Sequence, residues 1–418
     1  MRIALIALGS RGDIQPYIAL GKGLLAADHS VRLVTHENYE CLVNSHGLEF
    51  WPVRGNVQEF AESPEMRALL EKGNFITIMN YAAKTAREII INWAKDALPA
   101  CQGMDGIVAG LGGLFTGLAL AEKLDIPLLQ AYYVPFTPTR EFAGALVSPA
   151  VSRLGGTANR LSHHLTRQMM WQQGRRADTA ARQQILRLPA APFFGPFNAA
   201  AMKDTILYGF SPAVIAKPAD WNGNQHVTGY WFLNDDTDWQ PPRGLEEFLQ
   251  CGTPPIYIGF GSMSSRKPAE TAHLILAALA ETGQRAVLLS GWNGLQVENL
   301  PDNVFVVESV PHEWLFARVQ AVVHHGGAGT TAAGLRAGVP SIIIPFFGDQ
   351  PFWGQRVADL GVGPQPIPRK QLTVERLAQA LQTAIHDSAM RQRARVLGEQ
   401  IQSENGVQRA VEIIQTQL

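Results

Sequence analysis

The sequence predicts an α/β protein with two doubly wound domains, each built on a parallel sheet. Three observations lead to this fold class. Residues 3–8 form a short apolar run that ends in a glycine-rich turn at residues 9–13, which is typical of a strand buried on both faces of a parallel sheet. Helical patterns alternate with such strands through the first half of the chain. From residue 255 onward the same alternation begins again, so a second sheet is expected.

Each half of the chain contains a series of predicted βαβ units. In the first half the predicted strands are residues 3–8, 29–35, 106–109 and 127–131, and the predicted helices are residues 14–27 and 112–124. In the second half the predicted strands are residues 255–260, 286–290, 304–307, 321–324 and 341–344, and the predicted helices are residues 269–282 and 330–337. Ligands of doubly wound sheets bind beyond the carboxyl ends of the strands, so functional residues are expected in the turns that follow them.

The segment between the two halves is rich in Pro, Gly, Asn and Asp and shows little periodicity, which is typical of a linker. We therefore predict an N-terminal domain at residues 1–210, a linker at 211–242 and a C-terminal domain at 243–395. Two such domains would enclose a cleft between the strand ends of their sheets, and this cleft is the expected place for ligands.

The composition argues against several function classes. Among 418 residues, 35 are Lys or Arg and 36 are Asp or Glu, and a formal charge of -1 offers no basic surface for nucleic acid. The three cysteines form neither a CxxC pair nor a disulfide framework, so no zinc site is expected and a reducing cytoplasm fits best. The N-terminal apolar run lacks a small-residue cleavage site and is not expected to be a signal peptide. No stretch reaches the roughly 18 apolar residues of a membrane span.

Residues 150–190 stand out by their charge. Seven arginines in this segment face a single acid, Asp178, and apolar residues such as Leu161 and Leu165 interleave with them at roughly helical spacing. One interpretation is a surface that meets anionic lipid at the inner face of the membrane or helps to deliver an apolar substrate. The other interpretation is a solvated helical face over the N-terminal core.

The richest local signal is the segment HHGGAGTT at residues 324–331, which follows a predicted strand and opens a helix. Small residues let the backbone approach a ligand closely, and the free N–H groups of a helix start attract anions. A histidine just before the helix, His324 or His325, would suit a diphosphate. The alternative is a tight turn that needs glycine for steric reasons only. Downstream, Asp349 and Gln350 supply the acceptors and donors that hold sugar hydroxyls, so a nucleotide sugar is the economical ligand.

Three motifs, at residues 9–16, 324–331 and 348–350, together resemble the family 1 glycosyltransferases of the GT-B fold. The resemblance is strongest to the sterol 3-beta-glucosyltransferase branch and to bacterial relatives that glycosylate antibiotics and lipids. It implies two Rossmann-like domains that face each other across a cleft, with a C-terminal helix at 396–418 that packs back on the first domain. The implied reaction is inverting transfer of a hexose, glucose first, from a UDP sugar to a hydroxyl of a lipophilic acceptor such as a sterol. The resemblance implies that this transfer needs neither a metal nor a cofactor.

The resemblance also implies roles for individual residues. Asp13 would act as the catalytic base, and its alternative role is a helix cap. The candidate donor-binding residues are Ser10, Gly12, Ser262, Trp292, Val310, His325, Gly327, Gly329, Thr330, Asp349 and Gln350. Within this set, His325 and the helix start would hold the diphosphate, and backbone groups of Val310 would face the base.

The acceptor site is less clearly marked. Tyr132, Phe136 and Phe142 lie in an aromatic-rich stretch after a predicted strand and are candidates for an apolar pocket, with core packing as the alternative. Plant relatives carry a ribose-binding Glu and a base-stacking Trp where this chain has Ala333 and Ser309, so a dTDP sugar is an alternative donor. A polyketide, flavonoid or lipid acceptor also stays open. From another class, a nucleotide-sugar epimerase or a non-catalytic nucleotide-sugar-binding protein is the alternative.

Overall fold

A computed structural model of the chain describes residues 1–55, 75–197, 204–233, 239–260, 268–290 and 300–418. The chain divides into two compact units. Unit 1 comprises Met1–Gly144, Leu154–Asn234 and Asn405–Leu418, and unit 2 comprises Ala145–Arg153 and Asp235–Glu404.

Unit 1 is built on a parallel sheet of seven strands in the order β3-β2-β1-β4-β5-β6-β7. The strands are β1 (Arg2–Ile6), β2 (Ser30–His36), β3 (Glu49–Val53), β4 (Gly106–Ala109), β5 (Leu128–Tyr132), β6 (Ile206–Tyr208) and β7 (Gln225–Val227). Strand order reverses between β1 and β4, so the crevice that binds ligands in doubly wound sheets is expected at the carboxyl ends of these two strands.

Unit 2 contains a parallel sheet of five strands in the order β10-β9-β8-β11-β12. The strands are β8 (Ile256–Gly259), β9 (Ala286–Leu289), β10 (Val304–Val307), β11 (Ala321–His324) and β12 (Ser341–Ile343). Here the order reverses between β8 and β11. The predicted phosphate loop follows β11 and therefore lies at the switch point of this sheet.

Helices connect the parallel strands in both units. In chain order the described helices are α1 (Arg11–Ala26), α2 (Glu40–Ser45), α3 (Phe75–Cys101), α4 (Leu114–Leu124), α5 (Gly156–Ala181), α6 (Leu245–Gln250), α7 (Pro268–Thr282), α8 (His312–Phe316), α9 (Ala328–Arg336), α10 (Gln350–Asp359), α11 (Val374–His386), α12 (Ser388–Gln402) and α13 (Gly406–Gln417). A π-helical turn at Arg182–Leu186 continues α5. None of these described helices combines the length and the apolar character needed to cross a membrane.

The continuous apolar run of β1 follows from burial on both faces of the sheet. Ile3 and Leu5 enter a core cluster with residues of α1 and α13. Ala4 and Ile6 point the other way, into a second cluster with residues of α3 and α4. Successive side chains of a strand alternate between the two faces of the sheet. When both faces are covered, as around β1, both sets of side chains are buried and therefore apolar.

The unit boundaries differ from the predicted domain boundaries. Residues 211–242 are not a linker throughout, because β7 pairs with β6 inside this segment and buries Val227. The many Pro, Gly, Asn and Asp residues there mark the turns around a three-residue strand rather than a free connection. At the C-terminus, residue 396 lies within α12 of unit 2, and only Asn405–Leu418 belongs to unit 1, where α13 packs on α1.

Helix α5 buries a carboxyl group inside unit 1. Asp178 is only 3% exposed, and its Oδ2 has no hydrogen-bond partner among the described residues. Burial raises the pKa of Asp178 to about 6, although the Arg182 guanidinium opposes the rise, and Glu122 adds to it. The folded protein therefore keeps this proton up to about pH 6, while the side chain in the unfolded chain loses it near the ordinary pKa of 3.8.

Asp178→Asn is expected to stabilise the protein more at pH 8 than at pH 5. The folded-state pKa is raised, so the native protein loses stability as the pH rises from about 4 through 6, and the variant escapes this loss. The difference between wild type and variant should widen by about 1 to 2 kcal/mol between the two pH values. Chemical denaturation at both pH values measures it, with the exposed Asp359→Asn as control. A difference that does not change with pH would show that the fold does not raise the pKa of Asp178.

Candidate active site

Asp13 lies in the first turn of α1, beyond the carboxyl end of β1. Its Oδ2 accepts two hydrogen bonds from Ser10, from the backbone N–H at 2.6 Å and from Oγ at 2.7 Å. A carboxylate that binds the N-cap N–H is the reciprocal half of a capping box, so Asp13 also helps to start the helix. Gly9 is needed beside it, since a Cβ at this position, with φ of +147°, would lie 2.4 Å from the Asp13 Oδ2. Burial raises the pKa of Asp13 above 3.8, against the lowering effect of the hydrogen bonds from Ser10.

Tyr133 supplies a further hydrogen bond to this carboxylate, from its hydroxyl to Oδ1 of Asp13. The tyrosine follows the last residue of β5, and only β4 separates β5 from β1 in the sheet. The two side chains are therefore brought together by parallel strand order, across 120 residues of sequence. Tyr133 belongs to the aromatic-rich stretch after this strand, in which its neighbours Tyr132 and Phe136 are the predicted acceptor residues.

Those neighbours are packed into the interior of unit 1. Tyr132 is fully buried at the end of β5, where its hydroxyl donates to Gln130 Oε1 at 2.6 Å. Phe136 is buried against Tyr132, with ring centroids 5.4 Å apart. Phe142 is half-buried and contacts the His163 ring at 5.9 Å. For Tyr132 and Phe136 the structure shows core packing, the alternative to an acceptor contact.

A second group of polar atoms lies where β2 ends. Thr35 and His36 close this strand and are fully buried, and the His36 ring lies 5.7 Å from the ring of Trp93 on α3. Among the described residues, the Thr35 hydroxyl and the Trp93 indole N–H have no hydrogen-bond partner. Because β2 is parallel to β1 and next to it, these groups share the sheet edge of Asp13. Unpaired buried donors and acceptors of this kind suit a ligand hydroxyl.

In unit 2, His324 ends β11 and His325 begins the turn into α9. His324 is fully buried, and its Nδ1 accepts a hydrogen bond from the Gly326 N–H at 3.1 Å. Burial lowers its pKa well below the ordinary 6.5, so His324 is a neutral structural residue of the turn. His324 and His325 were the two candidates for binding the diphosphate, and His325 is the one that stays a candidate.

His325 is half-buried, and its Nδ1 has no hydrogen-bond partner among the described residues. Burial lowers the pKa of His325 to about 4, so the ring is neutral near pH 7 and can donate one hydrogen bond. Gly327 is required by this ring, since a Cβ at that position would lie 2.5 Å from the His325 Nε2.

The start of α9 places backbone N–H groups that have no partner within the helix next to His325. Within the helix, the N–H of Thr331 donates to the Gly327 carbonyl at 2.9 Å. The N–H groups of Ala328, Gly329 and Thr330 come before it and have no carbonyl one turn back to bind. These N–H groups lie at the N-terminal end of the helix, which carries roughly half a positive charge. This turn can therefore bind an anion. The buried Thr331 hydroxyl is also without a hydrogen-bond partner in the described part of the chain.

Two family models match the chain. The Glycosyltransferase family 28 N-terminal domain matches residues 3–143, and the Erythromycin biosynthesis protein CIII-like, C-terminal domain matches residues 273–416. The Sterol 3-beta-glucosyltransferase of Emericella nidulans is 39% identical over 430 residues, a match that covers 99% of this chain and 30% of that protein. The chain thus spans less than a third of the length of this relative.

Solved structures share the fold over the whole chain. The glycotransferase of kitacinnamycin superposes with a TM-score of 0.69 at 20% identity, covering 100% of this chain and 99% of its own. The glycosyltransferase VinC, solved in complex with DTDP, gives a TM-score of 0.68 at 17% identity, with 100% and 99% covered. The chain therefore has the GT-B fold of these glycosyltransferases. Both family models and both sheets fit this assignment, and the predicted fold class is confirmed.

In unit 2, the two residues predicted to hold the sugar, Asp349 and Gln350, already have hydrogen-bond partners within the protein. Asp349 precedes α10, and its Oδ2 accepts a hydrogen bond from the Trp353 indole N–H at 2.8 Å. Gln350 is 5% exposed, and its Oε1 accepts from the backbone N–H of Phe346 at 2.8 Å and from that of Phe347 at 3.2 Å. The amide oxygen of Gln350 therefore fixes the turn before α10, and any sugar contact of this side chain would have to come from its NH₂ group.

The remaining predicted donor residues are distributed as follows. Val310 is buried against α8 in one core cluster of unit 2, which fixes the backbone just after β10. Ser10 and Gly12 are exposed in the turn that holds Asp13. Ser262 and Trp292 lie outside the described residues, and their roles stay predictions.

Proposed function

We propose that this chain transfers a hexose, glucose in the first instance, from a UDP sugar to the hydroxyl of a lipophilic acceptor such as a sterol. The proposal requires neither a metal nor a cofactor. One observation carries it: the switch point of the first sheet holds a carboxylate, and the switch point of the second holds an anion-binding helix start. The names of the relatives, a sterol 3-beta-glucosyltransferase and a glycosyltransferase bound to DTDP, support this class of acceptor and donor.

In the proposed reaction the acceptor oxygen attacks the anomeric carbon and forms the new C–O bond. The bond from that carbon to the diphosphate oxygen breaks on the opposite face, which inverts the configuration. The hydroxyl proton passes to Asp13, whose raised pKa makes it a better base than a free aspartate. Ser10 and Tyr133 fix the carboxylate with three hydrogen bonds, and a carboxylate has about four acceptor positions, so one is left for the acceptor hydroxyl.

The leaving UDP gains negative charge as the bond to the sugar breaks. The first N–H groups of α9 and the neutral ring of His325 would donate hydrogen bonds to its phosphate oxygens. Fixed donors aimed at developing charge lower the barrier without reorganisation, the task that a metal ion performs elsewhere. Hydroxyl recognition on the acceptor side would use the unpaired groups of Thr35 and Trp93.

We also propose a cytoplasmic location for this activity. All three cysteines are free thiols, and a reducing compartment keeps them so. UDP-glucose is the proposed donor, with a dTDP sugar as the second candidate because VinC was solved with DTDP.

The test is release of UDP from UDP-glucose by the full chain, with and without sterols, phenolics and macrolides. We expect release that depends on a sterol and a glycosylated product that can be isolated. Release without any acceptor, or conversion of the sugar itself, would point to hydrolysis or epimerisation instead. If dTDP-glucose alone supports transfer, the reaction class stands and the assignment of the nucleotide is wrong.

A further inference from the structure

Helix α5 carries an apolar row on its outer side. Leu161, Leu165 and Met169 follow one another at intervals of four residues and are 67%, 54% and 44% exposed. Residues at this spacing lie on one face of a helix. The opposite side of α5 buries residues such as Trp171 and packs along α3, so the exposed row is not needed for the core of unit 1.

Two phenylalanines extend this row. Phe193 and Phe194 are 58% and 71% exposed, and their rings meet edge to face with centroids 5.2 Å apart. Their segment is tied to α5 through its carbonyl groups: Gln168 Nε2 donates to the Phe194 oxygen at 2.8 Å, and Gln172 Nε2 donates to the Phe193 oxygen at 2.7 Å.

Gln168 and Gln172 each lie three residues after a member of the row, so the phenylalanine pair adjoins it. We call Leu161, Leu165, Met169, Phe193 and Phe194 the apolar stripe. Exposure of five large apolar side chains to water at one surface is unfavourable. Contiguous apolar patches of this kind mark binding sites in soluble domains.

The exposed charged residues of the segment that carries the apolar stripe have one sign. Between residues 142 and 203 the only acid is Asp178, which is buried. Arg160 and Arg176 are exposed on α5, and the guanidinium of Arg175 lies over the Phe193 ring at 4.7 Å. An exposed apolar row flanked by arginines of its own segment is complementary to a surface that is apolar inside and negative outside.

We propose that the apolar stripe docks unit 1 on a lipid bilayer that carries anionic headgroups. Leucine, methionine and phenylalanine side chains enter the boundary between headgroups and acyl chains, and the arginines bind the headgroup phosphates and other anionic groups. The docking does not depend on the proposed sugar transfer, although a lipophilic acceptor would be reached from such a position.

The experiment is flotation of the full chain with vesicles of phosphatidylcholine alone and of phosphatidylcholine with 30% phosphatidylglycerol, without any sugar nucleotide. We expect binding to the anionic vesicles, weakened at least about tenfold without the anionic lipid and reduced by high salt. Leu161→Gln with Leu165→Gln should weaken vesicle binding at least about tenfold. Glutamine is a good helix former, so this variant should keep the thermal midpoint of the wild type.

The matched control is Leu300→Gln with Val396→Gln, two apolar residues of unit 2 that are 37% and 40% exposed. This control should bind vesicles within about twofold of wild type. Wild-type protein that floats with neither vesicle, or a stripe variant that binds as well as its control, would overturn the proposal. A concentration-dependent dimer in sedimentation that the stripe variant loses, without vesicle binding, would assign the stripe to a protein partner instead. None of these readouts uses catalysis, so failure of the proposed transfer reaction would be seen separately.

Discussion

Asp13→Asn is expected to lower kcat about 10²- to 10⁴-fold while UDP affinity stays within about twofold of the wild type. Asparagine keeps the shape of the side chain and one acceptor oxygen for Ser10, but its amide cannot take up the proton of the acceptor hydroxyl. The bond from Tyr133 to Oδ1 would be lost or would face an NH₂ group, which adds to the loss of alignment. Initial rates with UDP-glucose and a sterol, together with calorimetric titration of UDP, measure the two effects.

A control is needed because Asp13 also caps α1. Asp387 is a matched carboxylate: it caps α12 by accepting the Met390 N–H at 2.8 Å and lies in unit 2. Asp387→Asn should cost a similar stability, about 1 kcal/mol or less, with no loss of turnover. If Asp13→Asn keeps the wild-type kcat, Asp13 is a helix cap only and the base must be sought elsewhere. If both variants lose turnover in proportion to stability, the effect on Asp13→Asn is structural.

The sequence predicts the five described strands of the unit 2 sheet, but in unit 1 it misses β3, β6 and β7. Central strands such as β4 are recognised because a strand buried on both faces is a continuous apolar run. The missed strands β6 and β7 have only three residues each, and β3 contains Glu49 and Pro52, so none of them gives such a run. The start of α1 is less well predicted. It begins at Arg11 rather than near residue 14, because the polar residues at its start belong to the cap and not to the apolar face.

The contact between Tyr133 and Asp13 could not be predicted from the sequence. The aromatic stretch after β5 is visible in the sequence, but which of its members faces the ligand depends on the strand alternation at that point. Tyr132 still belongs to β5 and turns into the core, so the next residue is the one that reaches Asp13. The order of strands, which places β5 two positions from β1, is a tertiary property that the local pattern does not contain.

The same limit applies to the sugar residues. Asp349 and Gln350 have the right chemistry for hydroxyl groups, and the sequence alone cannot tell that the Gln350 oxygen already binds two backbone N–H groups. Short polar motifs after a strand often serve the turn first, because the backbone there must be satisfied before a ligand arrives. The diphosphate loop is different, since its donors are left unpaired by the geometry of the helix start itself.

Gly329→Ala is expected to make the protein slightly more stable and UDP binding at least about tenfold weaker, two effects that rarely go together. No atom lies within 4 Å of a Cβ built on Gly329, so the methyl group fits the fold without strain. Alanine is the better helix former by about 0.5 to 1 kcal/mol, and the residue is in the first turn of α9. A phosphate that approaches the N–H groups of this turn would meet the methyl group, because it occupies the space in front of the helix start.

Gly174→Ala separates the two effects. Gly174 lies within α5 of unit 1, where an added Cβ would make ordinary contacts at 3.8 Å with Ile90 and Phe115. This control should raise the thermal midpoint without any change in UDP affinity, as measured by calorimetry. Equal UDP affinity in Gly329→Ala and wild type would exclude a close approach of the diphosphate to α9. Weaker binding in a variant that unfolds at a higher temperature cannot be ascribed to damage of the fold, and it would leave contact between ligand and helix start as the cause.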